Sequence, residues 1–420
     1  METQPRRQFL ATAALAGAAL AAAPALGLEA GKRPATLKVG LVGCGGRGNG
    51  AIRDFQAAAK ILGIPVEVTA VGDAFEEAAK RTAQGLGLPA DKAFGGFYNY
   101  RKVIASGCDF VVMATPPSFR PIQFAAAVEA GKHCFIEKPV CVDPVGARAM
   151  LATGEKAKAK GLGVVAGTQR RHQAAYLLNK ARIDAGAIGP IRGGTVHWNG
   201  TVPWIKRRKE GESDASYLAR NWLNFTEISG DHIVEQHVHN IDVALWFIGR
   251  PPISAVGYGA RARRETGNMF DFFSVDFDFG QGVHIHSQCR QITGTWSRVG
   301  EQFTGATGEA FGGGRVSGAK VEVPEVKLES DNPYVQEHVA LIKSVLAGKP
   351  INETQAVTES TLAAIMARIS AYTGDIVRWD DLLKNDKSPY YNLACKPSAE
   401  DFEKGTVSLP EEKPPVPGKA

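Results

Sequence analysis

Cysteine is sparse. Six residues, Cys44, Cys108, Cys134, Cys141, Cys289 and Cys395, are scattered through 420 positions, with no CxxC pair and no short-spaced framework. That excludes a disulfide scaffold and a cysteine-built zinc site. Charge is close to balanced: 49 Lys and Arg against 43 Asp and Glu leave +6. With no long basic run, a nucleic-acid partner is not expected. The chain has no internal repeat, and its 47 glycines follow no Gly-X-Y period, so a collagen-like fold is excluded. Beyond the first thirty residues no apolar stretch is long enough to span a bilayer. What remains is a globular composition, 44% hydrophobic and 22% charged. At about 100–200 residues per domain, the length holds two or three domains with proper cores.

Residues 1–30 read as an address. Met1–Arg7 is short and basic, Arg6-Arg7-Gln8-Phe9-Leu10 leads into an Ala/Leu-rich stretch, and Ala23-Pro24-Ala25 supplies small residues for a signal peptidase. This is the pattern of a twin-arginine (Tat) signal peptide, which hands the chain to the Tat export machinery. The expected location is the periplasm or another extracytoplasmic compartment. A membrane anchor is the alternative, but the stretch is alanine-heavy and weakly hydrophobic. No cysteine sits at the cleavage region, so a lipid anchor is not indicated.

Residues 36–166 alternate strand and helix. Apolar runs at Leu37–Val42, Val66–Val71, Asp109–Ala114, His133–Ile136 and Gly163–Ala166 are separated by helix-like stretches. That order predicts an α/β Rossmann domain, a doubly wound parallel sheet covered on both faces. The loop Gly43-Cys44-Gly45-Gly46-Arg47-Gly48 follows the first strand and opens a helix that is readable from Ala51. Gly43 permits the tight turn, Gly45 lets backbone approach a pyrophosphate, and Gly48 lets the helix pack on the strand. The helix N-terminus offers N–H donors and a positive dipole end to phosphates. Asp73 ends the second strand, where a carboxylate accepts from a ribose 2′-hydroxyl and repels a 2′-phosphate. No arginine stands among the next residues, Ala74-Phe75-Glu76-Glu77. NAD is therefore expected in preference to NADP.

Residues 167–384 read as an α+β domain with a large, mostly antiparallel open sheet. Strand candidates are Ile191–Trp198, Ile253–Ala260, Phe272–Phe279, Gly282–Cys289 and Glu301–Gly305, several alternating polar with apolar. Asn199–Ser229 is a polar, tryptophan-rich excursion long enough to be a functional arm. Asp231–Ile248 is expected as one helix carrying His239, Asp242 and Trp246. Asn332 should cap a helix starting at Pro333 and ended by Gly348 and Pro350. A last helix is expected from Thr358 to Tyr372. The proline-rich, charged stretch 385–420 is expected to wrap the surface or hang loose.

Together the Rossmann loop, Ala114-Thr115-Pro116-Pro117, Glu137-Lys138-Pro139, Gly167-Thr168-Gln169-Arg170-Arg171 and the helix with His239 and Asp242 resemble the Gfo/Idh/MocA oxidoreductase family, over residues 36 to 380. The resemblance implies a Rossmann domain followed by the α+β domain. It implies hydride transfer between NAD(P) and a CH–OH carbon of a sugar or cyclitol. It implies that Gly43, Gly45, Gly46, Arg47, Gly48, Asp73, Thr115, Pro116, Pro117, Glu137 and Lys138 line the cofactor site. In such proteins the lysine acts with a carboxylate and a histidine four residues further on. Here that pair is Glu235 and His239, with Glu in place of the more usual Asp. The family's open sheet also implies a homo-oligomer.

Oxidising an alcohol needs a base at the hydroxyl and a cation to lower its pKa. His239 is the expected base, Lys138 the cation, and Glu235 the group that orients the substrate or tunes the histidine. The plainer alternatives are an ion pair of Lys138 with Glu137 and a satisfied core histidine. Arg171, Trp198, Asn199, Trp204 and Asp242 are candidates for binding the sugar, sugar ring or glycoside. His232, Glu235, His237 and His239 match no standard zinc spacing, so no metal is expected. An exported enzyme has no pool of free NAD to draw on, which predicts a tightly bound NAD loaded before export. Three functions stay open: a dehydrogenase or transhydrogenase, a redox-neutral NAD-dependent glycoside hydrolase, and a non-catalytic carbohydrate-binding protein.

Overall fold

The computed structural model describes residues 34–418, so the signal-peptide segment lies outside the described residues. Six parallel strands come first: β1 (Leu37–Val42), β2 (Val66–Gly72), β3 (Ala93–Phe94), β4 (Phe110–Met113), β5 (His133–Ile136) and β6 (Val164–Ala166). Helices α1 (Gly46–Ile61), α2 (Glu76–Gly85), α3 (Asn99–Ile104), α4 (Arg120–Glu129) and α5 (Pro144–Ala159) alternate with them. The sheet order is β3-β2-β1-β4-β5-β6. β4 is buried throughout and β1 at every position but one, as strands covered on both faces must be. The order reverses between β1 and β4, and a doubly wound sheet binds ligands in the crevice at that point. Helix α1 starts at Gly46, a turn and a half before its apolar pattern becomes readable at Ala51. Glycines carry no hydrophobic signal, so the pattern conceals that first turn. Asp143 caps α5 by accepting from Gly146 N at 2.7 Å.

The second domain contains α6 (Ala174–Asp184), β7 (Ile191–Gly200), α7 (Asp214–Arg220), α8 (Thr226–Ser229), α9 (His232–Glu235), α10 (Val238–Ile248), β8 (Ser254–Ala260), β9 (Phe272–Asp278), β10 (His284–Gln291), β11 (Arg298–Gly305), β12 (Glu309–Ala310) and β13 (Val316–Ser317). Then follow α11 (Pro333–Leu346), α12 (Thr354–Thr373), β14 (Val377–Arg378), α13 (Trp379–Leu383) and α14 (Ala399–Lys404). The eight-stranded sheet runs β13-β12-β11-β7-β10-β9-β8-β14. Its pairings are antiparallel except β7 with β10. One face packs on α10 and α12; Gly257 of β8 lies so close to α12 that an added Cβ would sit 2.8 Å from the Ala367 carbonyl.

Four expectations need correction or completion. The stretch 231–248 is two helices, α9 and α10, with a break at Gln236–His237. Helix α12 begins at Thr354, one turn before the expected Thr358. Helix α11 falls within the stretch assigned to the second domain, yet Val339, Leu341, Ile342 and Val345 are buried in the core of the parallel sheet. Burying each contributes about 1.5–3 kcal/mol, so the first domain draws on a segment that begins 167 residues beyond the end of β6. The tail is a strap rather than a loose end. Cys395 N donates to Asp143 at 2.8 Å, Glu403 accepts from Tyr100 and Arg101, and Gly418 N reaches the Thr373 carbonyl. Among the described residues no helix is long and apolar enough to cross a membrane.

Candidate active site

The glycine loop and the loop after β4 flank the switch point. Gly43 has φ +96°, and a Cβ there would lie 2.7 Å from the Ala114 carbonyl carbon. At Gly48 an added Cβ would sit 1.8 Å from the Gly43 carbonyl oxygen, so only glycine allows α1 this close to the turn. Gly45 and Gly46 meet nothing within 4 Å and leave the cradle open. No side chain caps α1. Its first N–H groups therefore face that cradle without a capping partner, the arrangement a pyrophosphate requires. Thr115 and Pro116-Pro117 form the opposite lip. Buried Arg120 ties the Thr115 carbonyl to the Pro139 carbonyl, fixing two loops of the crevice together. Burial pushes its guanidinium down to about 10, against the pull of Glu137 and Glu235.

Asp73 sits half-buried at the end of β2. Its carboxylate accepts from Cys44 N at 2.7 Å and Phe75 N at 2.9 Å. Burial pushes its pKa up from the usual carboxylate range, and those two N–H groups pull it back. Among the described residues no arginine or lysine pairs with it in an ion pair. The residues therefore fit a dinucleotide with a free 2′-hydroxyl. Asp73→Ser removes the charge that repels a 2′-phosphate, so the ratio of NAD to NADP affinity should fall roughly tenfold or more. Calorimetric titration with both dinucleotides checks this, and an unchanged ratio would place the ribose elsewhere.

Arg47 uses its backbone and its side chain differently. Its N–H belongs to the first turn of α1, while its guanidinium pairs with Glu137, with Asp54 at 2.9 Å and with Glu337 at 3.0 Å. Glu137 also accepts from Lys138 N at 3.0 Å. The carboxylate of Glu137 is thus spent on Arg47, and Lys138 is released to face the second domain.

Lys138 reaches Glu235. Its Nζ lies 3.1 Å from Glu235 Oε1 and 2.6 Å from the Glu235 carbonyl oxygen. The helix break makes the second contact possible. In an unbroken helix that carbonyl would accept from His239 N; here His239 N donates to Gln236 O at 3.3 Å instead. Asp231 adopts φ +71° with its carboxylate fully buried, accepting from His232 and from Phe270 N at 3.0 Å, with Tyr372 donating as well. That buried network fixes α9, and with it Glu235.

His239 opens α10 beside this pair. It is 8% exposed, and its ring stacks on Trp198 with centroids 5.7 Å apart. Burial holds its pKa well below the ordinary histidine value, and the Lys138 and Arg170 cations lower it further. The ring is therefore neutral at pH 7, as a proton acceptor must be. His232 and His237 are engaged elsewhere, with Asp231 at 2.9 Å and Ser287 at 2.7 Å. Among the described residues no group of three or more His, Cys, Asp or Glu is placed to hold a metal.

The structure redistributes the substrate candidates. Arg171 and Asp242 face each other in a buried bidentate pair at 2.9–3.1 Å, with Ser360 as a third partner, and are spent on packing. Arg170 is the arginine on the cleft side. It pairs with Glu301, and its guanidinium lies 5.9 Å from the Trp198 ring. Adjacent residues of a short turn point apart, and the sequence did not say which one faced the site. Asn199 lies beside Trp198 on β7, and alternation sends it to the opposite, outer face of the sheet. Trp204 packs against Trp222 at 6.0 Å within the arm. Of the five candidates, Trp198 alone meets the reactive cluster. Tyr176, Asn240 and Glu301 were missed; they converge only through folding, and nothing in their spacing signals it.

Residues 37–165 match the family model described as oxidoreductase family, NAD-binding Rossmann fold, and residues 176–310 match the GFO/IDH/MocA C-terminal domain. Together the two matches cover more than half of the chain.

The chain belongs to the Gfo/Idh/MocA oxidoreductase family.

Among curated proteins, scyllo-inositol 2-dehydrogenase (NAD(+)) of Bacillus subtilis is 27% identical over 52% of this chain and 57% of its own length. An inositol 2-dehydrogenase of Cereibacter sphaeroides is 28% identical over 60% and 66%. The chain thus spans less than two thirds of either relative. The solved scyllo-inositol dehydrogenase of Lactobacillus casei superposes with TM-score 0.63 at 19% identity, over 82% of this chain and 99% of that one. A levoglucosan dehydrogenase superposes with TM-score 0.65 at 18% identity, over the same shares. Both likenesses show a shared fold.

Proposed function

We propose that this protein oxidises a CH–OH group of a sugar, cyclitol or glycoside with NAD as hydride acceptor. The observation that carries the reading is the contact of Lys138 with Glu235, brought beside a neutral His239 at the mouth of the dinucleotide crevice. The curated relatives act on inositols by name, which supports the substrate class. NAD, when bound, takes the hydride from the carbinol carbon. The chain handles the proton. The Lys138 ammonium binds the hydroxyl oxygen and stabilises its developing negative charge. His239 takes the hydroxyl proton. Glu235 holds Lys138 in place, and Trp198 supports the imidazole and offers its face to the ring.

The sign of the pH dependence follows from His239. Its folded-state pKa lies below the ordinary value of about 6.5, so the base stays unprotonated as pH falls through 6.5. The acid limb of kcat/KM should lie well below 6.5. Removing one cation with Arg170→Gln should move it upward. A wild-type limb at 6.5 or above would exclude His239 as the base.

Export by the Tat route completes the proposal. Arg6-Arg7 and the small residues at Ala23-Pro24-Ala25 support it. A periplasmic oxidoreductase without free NAD would keep its cofactor tightly bound and reoxidise it with a second substrate. The outer face of the large sheet, with Tyr258 70% exposed, suits a homo-oligomer contact. The test of the reaction is a panel of sugars, cyclitols and glycosides with added NAD, followed at 340 nm. NADH formation with at least one class is expected, and silence across the panel would overturn the reading.

A further inference from the structure

A cavity of about 420 Å³ opens on the inner face of the large sheet, between β11 and the start of α6. Its lining includes Gln173, Tyr176, Arg298, Val299, Glu301 and Phe311. It continues the reactive cluster. Val299 stands opposite Trp198 in the β7–β11 pairing, and opposite residues share a face of the sheet. On that face Val196 and Phe303 are fully buried, yet Val299 is 49% exposed. The inner face therefore opens to solvent beside Trp198, the residue stacked on His239.

The lining is chemically specific. Glu301 is buried and held by Arg170, by Tyr176 Oη at 3.1 Å and by Asn240 Nδ2 at 2.6 Å. Asn240 follows His239 directly, so the cavity floor is bonded to the helix turn that carries the base. Tyr176 and Phe311 supply aromatic faces and Gln173 an amide, while Arg298, which pairs with Asn199, belongs to the other face of the sheet. Its volume falls within the roughly 300–1,000 Å³ of small-molecule sites.

We infer that this cavity binds the second ring of a glycoside, whose first ring is presented to Lys138 and His239. The inference rests on the proposed reaction and narrows its substrate class from single rings to glycosides. The test is calorimetric titration of the NAD-loaded full chain with D-glucose and D-galactose and with both anomers of their phenyl glycosides, alongside turnover of the same compounds. At least one glycoside should bind tenfold or more tighter than its parent sugar. Val299→Trp, which fills the cavity, should bring that ratio close to one while circular dichroism stays native. Equal affinities in the wild type, or a gain that survives a folded Val299→Trp, would overturn the subsite. So would loss of fold in Val299→Trp combined with an undiminished ratio in Phe311→Ala. Turnover of single rings without any gain from the second ring overturns the subsite alone. Absence of turnover on every ring, with or without binding, overturns the reaction beneath it.

Discussion

Lys138→Ala should lower kcat by about 10²–10³-fold, the range for losing one group that stabilises developing negative charge, while the protein keeps its dinucleotide. The pyrophosphate cradle is built from Gly43–Gly48 and does not involve the Lys138 ammonium. Among the described residues the lysine ammonium hydrogen-bonds to Glu235 alone, across the domain boundary, at 3.1 and 2.6 Å. Lys138→Arg should restore little, because a planar fork does not replace a compact ammonium at a single oxygen. The measurement is single-turnover kinetics beside a mass-spectrometric count of bound NAD. A kcat within tenfold of wild type would remove Lys138 from the chemistry. Loss of nucleotide with turnover retained would reverse the roles assigned to lysine and loop.

Phe402→Ala should destabilise the protein by about 3–5 kcal/mol and speed the release of bound NAD. Phe402 is 3% exposed and packs on Phe97 at 4.9 Å and Phe119 at 5.0 Å. Phe97 follows β3 and Phe119 lies just past the β4 lip, so both stand at the strand ends where the dinucleotide crevice opens. The strap thereby clamps the cofactor side of the first domain and, through Leu409 N to Asp214 at 3.1 Å, the arm of the second. Phe402→Leu should recover most of the stability, since it keeps apolar volume in the same site. Denaturant unfolding and the rate of NAD release after dilution check both parts. Unchanged release with lowered stability would leave the strap a purely structural element.

Much of this was legible in the sequence. The doubly wound order follows from apolar runs separated by amphipathic stretches, because strands buried on both faces carry few polar positions. The roles of Gly43 and Gly48 follow from backbone geometry that only glycine permits. What stayed hidden depends on direction rather than periodicity. Arg170 and Arg171 are the same residue type side by side, and only folding decides that Arg171 turns inward to Asp242. Asn199 and Trp198 are neighbours on a strand, and alternation separates them by a sheet. The break after Glu235 lies in a stretch that reads as helix, because the partners of the residues at the break, Gln291 for Gln236 and Ser287 for His237, come from β10 far along the chain. Helix α11 reads as part of the second domain because sequence order does not record which core a helix returns to.

In the proposed reaction a hydride passes from a carbinol to NAD held between the glycine loop and Lys138. The most direct test adds the sugar panel to the purified protein without added cofactor and follows absorbance at 340 nm. A rise equivalent to about one NADH per chain is expected with the true substrate, and none in Lys138→Ala. No change with any member of the panel, before and after NAD is supplied, would contradict it.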